Sequence, residues 1–359
     1  MDRRILKTLV AAAWLTPLVS ACDGAPTAPT EPLQVSVDAV VGSGLPLYGV
    51  GGYERAVPRP CPDPGTRNLD FWTGGWNLER DGAVVATSVI TKELDGCVVM
   101  EEYINNGGVQ ARSLSVYDAA TDRWHQAYQD NLLGNYRLEG TAGGGVAQLS
   151  GTQQIYHFGL GTIVERNATS TWTDNGDGTV RQVIRGTFDG GPEEILFDGL
   201  YRPATGLDRA TPAFFPFCQV VLPGFRELDF WLGTWAVTVE SGPTIGSARV
   251  QSDLNGCLLQ HDFEGVNGYR SRSFLFWDFA EDRWFRTMAD NTGAYVQLSG
   301  GLQGPAMVLT GIDEGPDGRD LHVRNTLTPT DEGVTETWEI SRDGGATWNL
   351  AVRLLHGAM

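Results

Sequence analysis

The chain has 359 residues and carries 26 basic against 44 acidic side chains, a formal net charge of −18. A surface this acidic repels nucleic acid and anionic lipid headgroups, so binding to either is set aside. Lys7 and Lys92 are the only lysines, and no P-loop, dinucleotide fingerprint or nucleophile elbow occurs.

Residues 1–21 read as a secretory signal. Arg3, Arg4 and Lys7 give a basic start, and an apolar run from Leu9 to Val19 follows. The run is too short for a stable membrane span. Val19-Ser20-Ala21-Cys22 resembles the bacterial lipobox, which implies cleavage before Cys22 and lipid on its sulfur. The alternative is ordinary cleavage with Cys22 as a bystander. Asp23 resembles an inner-membrane retention signal, so the expected address is the periplasmic side of the cell envelope. Removal of the signal, which holds three basic residues and one acid, leaves the chain near −20. Residues 22–60 are rich in Pro, Thr and Gly and read as a flexible tether.

From Cys61 onward the chain repeats itself. Asp70-Phe71-Trp72-Thr73-Gly74-Gly75-Trp76 returns 159 residues later as Asp229-Phe230-Trp231-Leu232-Gly233-Thr234-Trp235. Such a period marks a tandem duplication. We assign residues 61–204 to repeat 1, 205–217 to a linker and 218–359 to repeat 2. With Cys22 committed to lipid, Cys61, Cys97, Cys218 and Cys257 remain, an even number for an oxidising compartment. One cysteine precedes each Asp-Phe-Trp copy, and one follows it in Asp95-Gly96-Cys97 or Asn255-Gly256-Cys257. The repeat therefore predicts Cys61–Cys97 and Cys218–Cys257 bridges.

Strand signals dominate both repeats. Repeat 1 offers Ala83–Thr91, Ser113–Asp118, Trp124–Asp130, Ala147–Gly151 and Thr162–Thr173. Repeat 2 offers Ser247–Ser252, Ser273–Asp278, Trp284–Asp290, Ala294–Ser299, Ala306–Thr310 and Thr335–Ser341. Asp-Gly and Asn-Gly turns separate them. About eight to ten antiparallel strands per repeat predict an all-β chain of two up-and-down barrels, since closure removes exposed edges. Asp174-Asn175-Gly176-Asp177-Gly178 lacks the glutamate and spacing of a calcium loop and reads as a hairpin turn. Ser341-Arg342-Asp343-Gly344-Gly345-Ala346-Thr347-Trp348 fits an Asp-box but occurs as one good copy, so it too reads as a hairpin.

Gly74-Gly75-Trp76 and Gly233-Thr234-Trp235 resemble the Gly-x-Trp of lipocalins and other calycins. That resemblance implies Trp76 and Trp235 at the barrel base, with Arg202 and Arg353 of the last strands packed across them. A fuller series recurs in order: a leading Cys, Asp-Phe-Trp-x-Gly-x-Trp, Leu-x-Gly-Cys, an aromatic-Asp turn and Asp-Arg-Trp. It resembles the bacterial DUF1579-like proteins, a calycin-like group of unknown function, over nearly all of both repeats. Repeat 1 departs near its end, reading Asp189-Gly190-Gly191-Pro192-Glu193-Glu194. The resemblance implies calycin-like barrels and supplies no catalytic residues.

Alternate residues of a barrel strand face inward. Trp124, Gln126, Tyr128 and Asp130 therefore share one inward face, and Trp284, Arg286, Met288 and Asp290 share its counterpart. An aromatic, an amide and a carboxylate converging are what a small-molecule cavity needs, and a filled core is the competing reading. Met fills irregular gaps and a buried Arg needs a partner, so repeat 2 is expected to be packed, with Arg286 paired to Asp290. Repeat 1 is expected to hold the open site. None of the five histidines pairs at metal spacing, and no metal or cofactor is expected. The leading function is an envelope lipoprotein that binds a small, partly apolar ligand. The alternatives are an enzyme using Asp130 or Asp290 as general base, and an interaction module with filled barrels.

Overall fold

The computed structural model describes residues 61, 63–157, 162–187, 191–207, 209–314 and 319–359. The signal, the tether, Cys22 and Asp23 lie outside the described residues. Ten strands form barrel 1: β1 (Gly74–Arg80), β2 (Ala83–Glu93), β3 (Val98–Asn105), β4 (Gln110–Asp118), β5 (Arg123–Asp130), β6 (Asn135–Gly143), β7 (Val146–His157), β8 (Thr162–Asp174), β9 (Val180–Thr187) and β10 (Glu194–Pro203). Ten more form barrel 2: β11 (Gly233–Val239), β12 (Thr244–Asp253), β13 (Leu258–Gly265), β14 (Arg270–Asp278), β15 (Arg283–Asp290), β16 (Tyr295–Gln303), β17 (Ala306–Glu314), β18 (Asp320–Thr330), β19 (Gly333–Ser341) and β20 (Asn349–Ala358). Each barrel is an antiparallel meander that closes first strand to last, with Trp76 opposite Pro203 and Trp235 opposite Ala358. The fold is therefore the all-β tandem barrel that the strand spacing predicts, at the upper end of the expected strand number.

Period-two patterning decides what faces in. In β18, Leu321, Val323, Asn325 and Leu327 are buried while their neighbours are not. The outward side of β7 and β8 carries Gln148, Ser150, Asn167, Thr169 and Thr171. A polar outside around an apolar inside is the reverse of a membrane-spanning barrel.

The repeated motif has a local physical cause. Asp70–Trp72 and Asp229–Trp231 form one short helical turn each. The Trp76 indole N–H donates to the Trp72 carbonyl at 2.9 Å, and Trp235 donates to Trp231 at 2.9 Å. Between them Gly74 and Gly233 adopt φ of 142° and 150°, a region that side chains disfavour. The Trp76 ring then meets the edge of Tyr201 at 6.1 Å. Arg202 and Arg353, expected across the base tryptophans, pair on the outside with Glu79 at 2.7 Å and Glu240 at 2.9 Å. An exposed guanidinium has solvent and a carboxylate there, and it has no reason to leave them for the barrel floor.

Both disulfides join the predicted partners, Cys61–Cys97 and Cys218–Cys257, with Cα separations of 5.1 and 5.0 Å. Both barrels belong to one compact unit. They meet through reciprocal pairs. Arg112 of β4 reaches Asp253 at 3.0 Å, and its counterpart Arg272 pairs with Glu93. Asn131 donates to Asn255 at 3.3 Å, and Asn291 donates to Asp95 at 2.9 Å. Beneath these pairs a single apolar cluster draws Val98, Met100 and Leu114 from barrel 1 and Leu258, Phe274 and Ala289 from barrel 2. The first half of β3, residues 98–101, is thus buried on both sides, one facing barrel 1 and the other facing barrel 2.

Candidate functional site

The two barrels share a frame and differ in what fills it. In barrel 1 one ladder row runs Trp124, Gly140, Leu149, Ser170, Ile184. In barrel 2 the same row runs Trp284, Gly300, Leu309, Asn325, Trp338. The shared register equates Ile184 with Trp338. One step along, Gln182 opposes Gly199 in barrel 1 where Glu336 opposes Leu354 in barrel 2. Tyr103, Tyr128 and Tyr136 likewise correspond to Phe263, Met288 and Val296, on strands of matching order and register.

Barrel 1 is hollow above its floor, with a cavity of ≈ 250 Å³. Tyr103, Tyr128, Tyr136 and Tyr201 line much of its wall, together with Phe197 and Ile184. Tyr128 and Tyr136 stack with centroids 4.2 Å apart. Burial pushes Tyr103 up to about 12 and the other three tyrosines well above their ordinary range, so all four are neutral hydroxyls at neutral pH. Tyr201 donates to Gln182 Oε1 at 2.8 Å, and the Gln182 amide donates to Ser170 at 3.0 Å. Gly199 helps to shape the wall, because a Cβ there would sit 2.3 Å from the Phe197 ring.

Glu101 supplies the cavity with a buried carboxyl. Ser88 and Ser113 donate to its two oxygens at 2.8 and 3.1 Å. Burial raises its pKa above the usual carboxylate value, and these hydroxyls offset only part of that rise. Arg166 stands on the cavity wall with Nε on Gln153 Oε1 at 2.8 Å.

The residues singled out in repeat 1 divide into two groups. Tyr128 and Asp130 line the cavity, whereas Trp124 is buried in the core against Tyr117, their ring centroids 5.9 Å apart. Gln126 is buried and donates to Ser115 at 3.0 Å. Asp130 accepts the backbone N–H groups of Leu132 and Gly134 at 2.8 and 2.7 Å, and burial raises its pKa to about 7.

The counterparts in repeat 2 are packed. Trp284, Arg286 and Met288 are completely buried. Trp284 donates its indole N–H to Glu227 at 3.0 Å. Arg286 does not pair with Asp290 as expected. It donates to Glu336 at 2.8 Å, to Asn325 at 2.8 Å and to Ser273 at 3.2 Å. Asp290 is held by its own turn, accepting from Thr292 and Ala294, and by the Tyr269 hydroxyl at 3.0 Å. His356 Nε2 lies 3.0 Å from the second Glu336 oxygen. Burial would raise the Glu336 pKa, but Arg286 beside it holds the carboxyl well below the usual range.

Several cavity residues were not visible as candidates in the sequence: Glu101, Tyr103, Tyr136, Gln182 and Tyr201. A comparison of the halves carries the signal, because Glu101 stands where repeat 2 has His261 and Gln126 where it has Arg286. A larger groove of ≈ 650 Å³ lies along the barrel–barrel junction. Two of its arginines are already committed, Arg270 to Asp95 and Arg272 to Glu93 and Asp262. The barrel 1 cavity is therefore the stronger candidate site.

No protein-family model and no curated protein matches the chain. Among solved structures, a putative outer membrane protein from Bacteroides fragilis is similar at 8% identity and TM-score 0.17, over 80% of this chain and 95% of that one. A protein of unknown function of the DUF3598 family from Nostoc punctiforme is similar at 10% identity and TM-score 0.18, over 83% and 100%. Likenesses at these scores carry no argument about what the chain does.

Proposed function

We propose that the chain is a cell-envelope lipoprotein that binds a small, partly apolar molecule inside barrel 1, with barrel 2 as its packed support. The observation that carries this reading is the contrast between the halves. Where barrel 1 has Tyr128 and Ile184 on the cavity wall and Gly199 behind the Phe197 ring, barrel 2 has Met288, Trp338 and Leu354, all buried. The cavity holds about eight waters' volume, enough for a compact organic molecule. The anchor rests on Val19-Ser20-Ala21-Cys22, and the calycin-like affiliation on the motif series shared with DUF1579-like proteins.

A second reading makes Asp130 a general base, and its pKa of about 7 at the cavity wall favours it. Against it, Asp290 makes the same turn in the packed barrel, so the turn accounts for both aspartates.

The test is native mass spectrometry on protein from its own host, beside the Ile184→Trp variant that copies Trp338. A retained small molecule in wild type that is lost in Ile184→Trp supports the reading. Equal loading of the two, or an empty wild type that shifts with no compound in a thermal screen, overturns it. Release of Cys22→Ser from the membrane fraction tests the anchor separately.

A further inference from the structure

Each barrel buries a carboxyl among aromatic rings, Glu336 in barrel 2 and Glu101 at a different ladder position in barrel 1, and the two differ in what can neutralise it. In barrel 2 the buried carboxylate of Glu336 is neutralised by Arg286, whose guanidinium lies 5.4 Å from the Trp231 ring and 5.1 Å from the Trp338 ring. A cation beside a carboxylate and over aromatic faces is a favourable buried arrangement. Barrel 1 keeps a buried carboxyl, Glu101, and aromatic faces, in Tyr103, Tyr128, Tyr136 and Tyr201. The cation is missing, because Gln126 stands where Arg286 does. Among the described residues no Lys, Arg or His forms an ion pair with Glu101; the hydroxyls of Ser88, Ser113 and Tyr201 are what reach it. The other charged groups at the cavity are Asp130, which adds a second acid, and Arg166, held by Gln153.

Barrel 2 also indicates where the missing charge belongs. Arg286 Nη2 lies 3.3 Å from His261 Nδ1, and His261 occupies the Glu101 position. The guanidinium thus sits beside the place that Glu101 holds in barrel 1. There Glu101, Gln182 and Tyr201 line the cavity.

We propose that the barrel 1 ligand is a small organic cation, an ammonium or guanidinium compound whose positive end binds Glu101 within the tyrosine wall. This rests on the cavity reading above and adds the ligand's charge. The geometry assigns Glu101 as counter-ion and the tyrosines as the cation–π surface. Ser88 and Ser113 orient the carboxylate. Neutral molecules of the same shape leave a buried carboxyl with no charge to meet.

The test uses the full chain and a panel of ammonium, amidinium and guanidinium compounds, phenethylamine and benzamidine among them. Each is paired with a neutral isostere, 2-phenylethanol for phenethylamine, and titrated calorimetrically at neutral pH. At least one cation should bind at least tenfold more tightly than its neutral partner. Glu101→Gln should erase that preference, so that the cation and its neutral isostere bind alike. Gln126→Arg, which copies barrel 2, should abolish cation binding with the fold retained by circular dichroism, and it keeps the test decisive should Glu101→Gln not fold. Equal binding of cations and isosteres, or a preference that survives both substitutions, overturns the cation assignment and leaves the cavity reading standing. A panel in which no cation binds, with a neutral or anionic molecule found in the native mass spectrum, overturns it also. Failure of the cavity reading is recognised separately, by equal loading of wild type and Ile184→Trp.

Discussion

Arg286 donates to Glu336 at 2.8 Å with both side chains completely out of water, and the corresponding positions of barrel 1 hold Gln126 and Gln182. A buried pair of this kind is costly to break and inexpensive to replace. Glu336→Ala leaves a guanidinium without its counter-ion and should destabilise the protein by about 3–5 kcal/mol. The double change Arg286→Met with Glu336→Leu should cost far less than either single change. Urea denaturation of the three variants measures this. A double variant as unstable as Glu336→Ala would show that the pair holds barrel 2 together by more than mutual neutralisation.

Acid and base act on different carboxyls. Arg286 holds the Glu336 pKa below its ordinary 4.5, against the opposing effect of burial. Its contribution is therefore present above pH 4.5 and lost as pH falls below it. Asp130 has the opposite sign, because burial raises it from 3.8 to about 7. Between those values the unfolded chain gives up its proton first, so stability falls as pH rises through that window. Asp130→Asn can still accept from Leu132 and Gly134, and it has no charge to bury. The variant should match wild type near pH 4 and exceed it at pH 8, as read from melting temperatures. Parallel curves over the whole range would mean that Asp130 is ionised at little cost.

The strand count, the duplication and both disulfides were legible because each rests on local chemistry: alternation, Asp-Gly and Asn-Gly turns, matched cysteines. The cavity was less so. Strand β3 reads Val98-Val99-Met100-Glu101-Glu102-Tyr103 and shows no alternation, since Val98 and Met100 pack against barrel 2 while Glu101 and Tyr103 face into barrel 1. Over residues 98–101 both faces are covered, so period two gives no indication there of which residue points where. The Arg286 partner was missed for a related reason. Sequence proximity suggested Asp290, but in a closed barrel Glu336 comes within reach although it lies 50 residues away. Arg112 pairs with Asp253 of the other barrel, and Arg272 pairs with Glu93 across the junction as well as with Asp262 of its own barrel, contacts that no spacing within one repeat indicates.

Each disulfide closes a loop of similar length, with sequence separations of 36 and 39 residues. The chain-entropy model assigns about 4 kcal/mol to each. Cys61→Ser with Cys97→Ser should therefore lower stability by a similar amount to Cys218→Ser with Cys257→Ser, measured by denaturant midpoint under oxidising conditions. Both bridges sit in the shared cluster, with Cys97, Cys218 and Cys257 buried and Cys61 packed against them, so a large inequality would point to contacts of one bridge beyond its loop.

That shared cluster bears on cooperativity. Val98, Met100 and Leu114 bury against Leu258, Phe274 and Ala289 across the junction, so neither barrel can unfold without exposing the other's apolar surface. Differential scanning calorimetry should give one transition, with calorimetric and van't Hoff enthalpies in agreement. Met100→Asp with Phe274→Asp should split it into two. Two transitions in the wild type would instead mean that the junction adds little to either barrel.

Trp124 and Trp284 test the division of labour between the halves. They hold equivalent places, and both are buried in their cores. Removing either indole empties packed space, at about 3–5 kcal/mol by the usual cost of Trp→Ala. Their surroundings differ. The Trp284 indole N–H donates to Glu227, whose pKa burial raises, so Trp284→Ala also takes a hydrogen bond from a carboxyl that needs one. Trp124 packs against Tyr117 within the core and is not among the residues that line the cavity. Trp124→Ala should therefore lower the urea midpoint while changing the affinity of a barrel 1 ligand far less than Tyr128→Ala does. Titrating one cavity ligand into both variants, under conditions where each remains folded, reads the difference. Complete loss of binding in Trp124→Ala alone would place the ligand deeper than the cavity wall and make Trp124 part of the site.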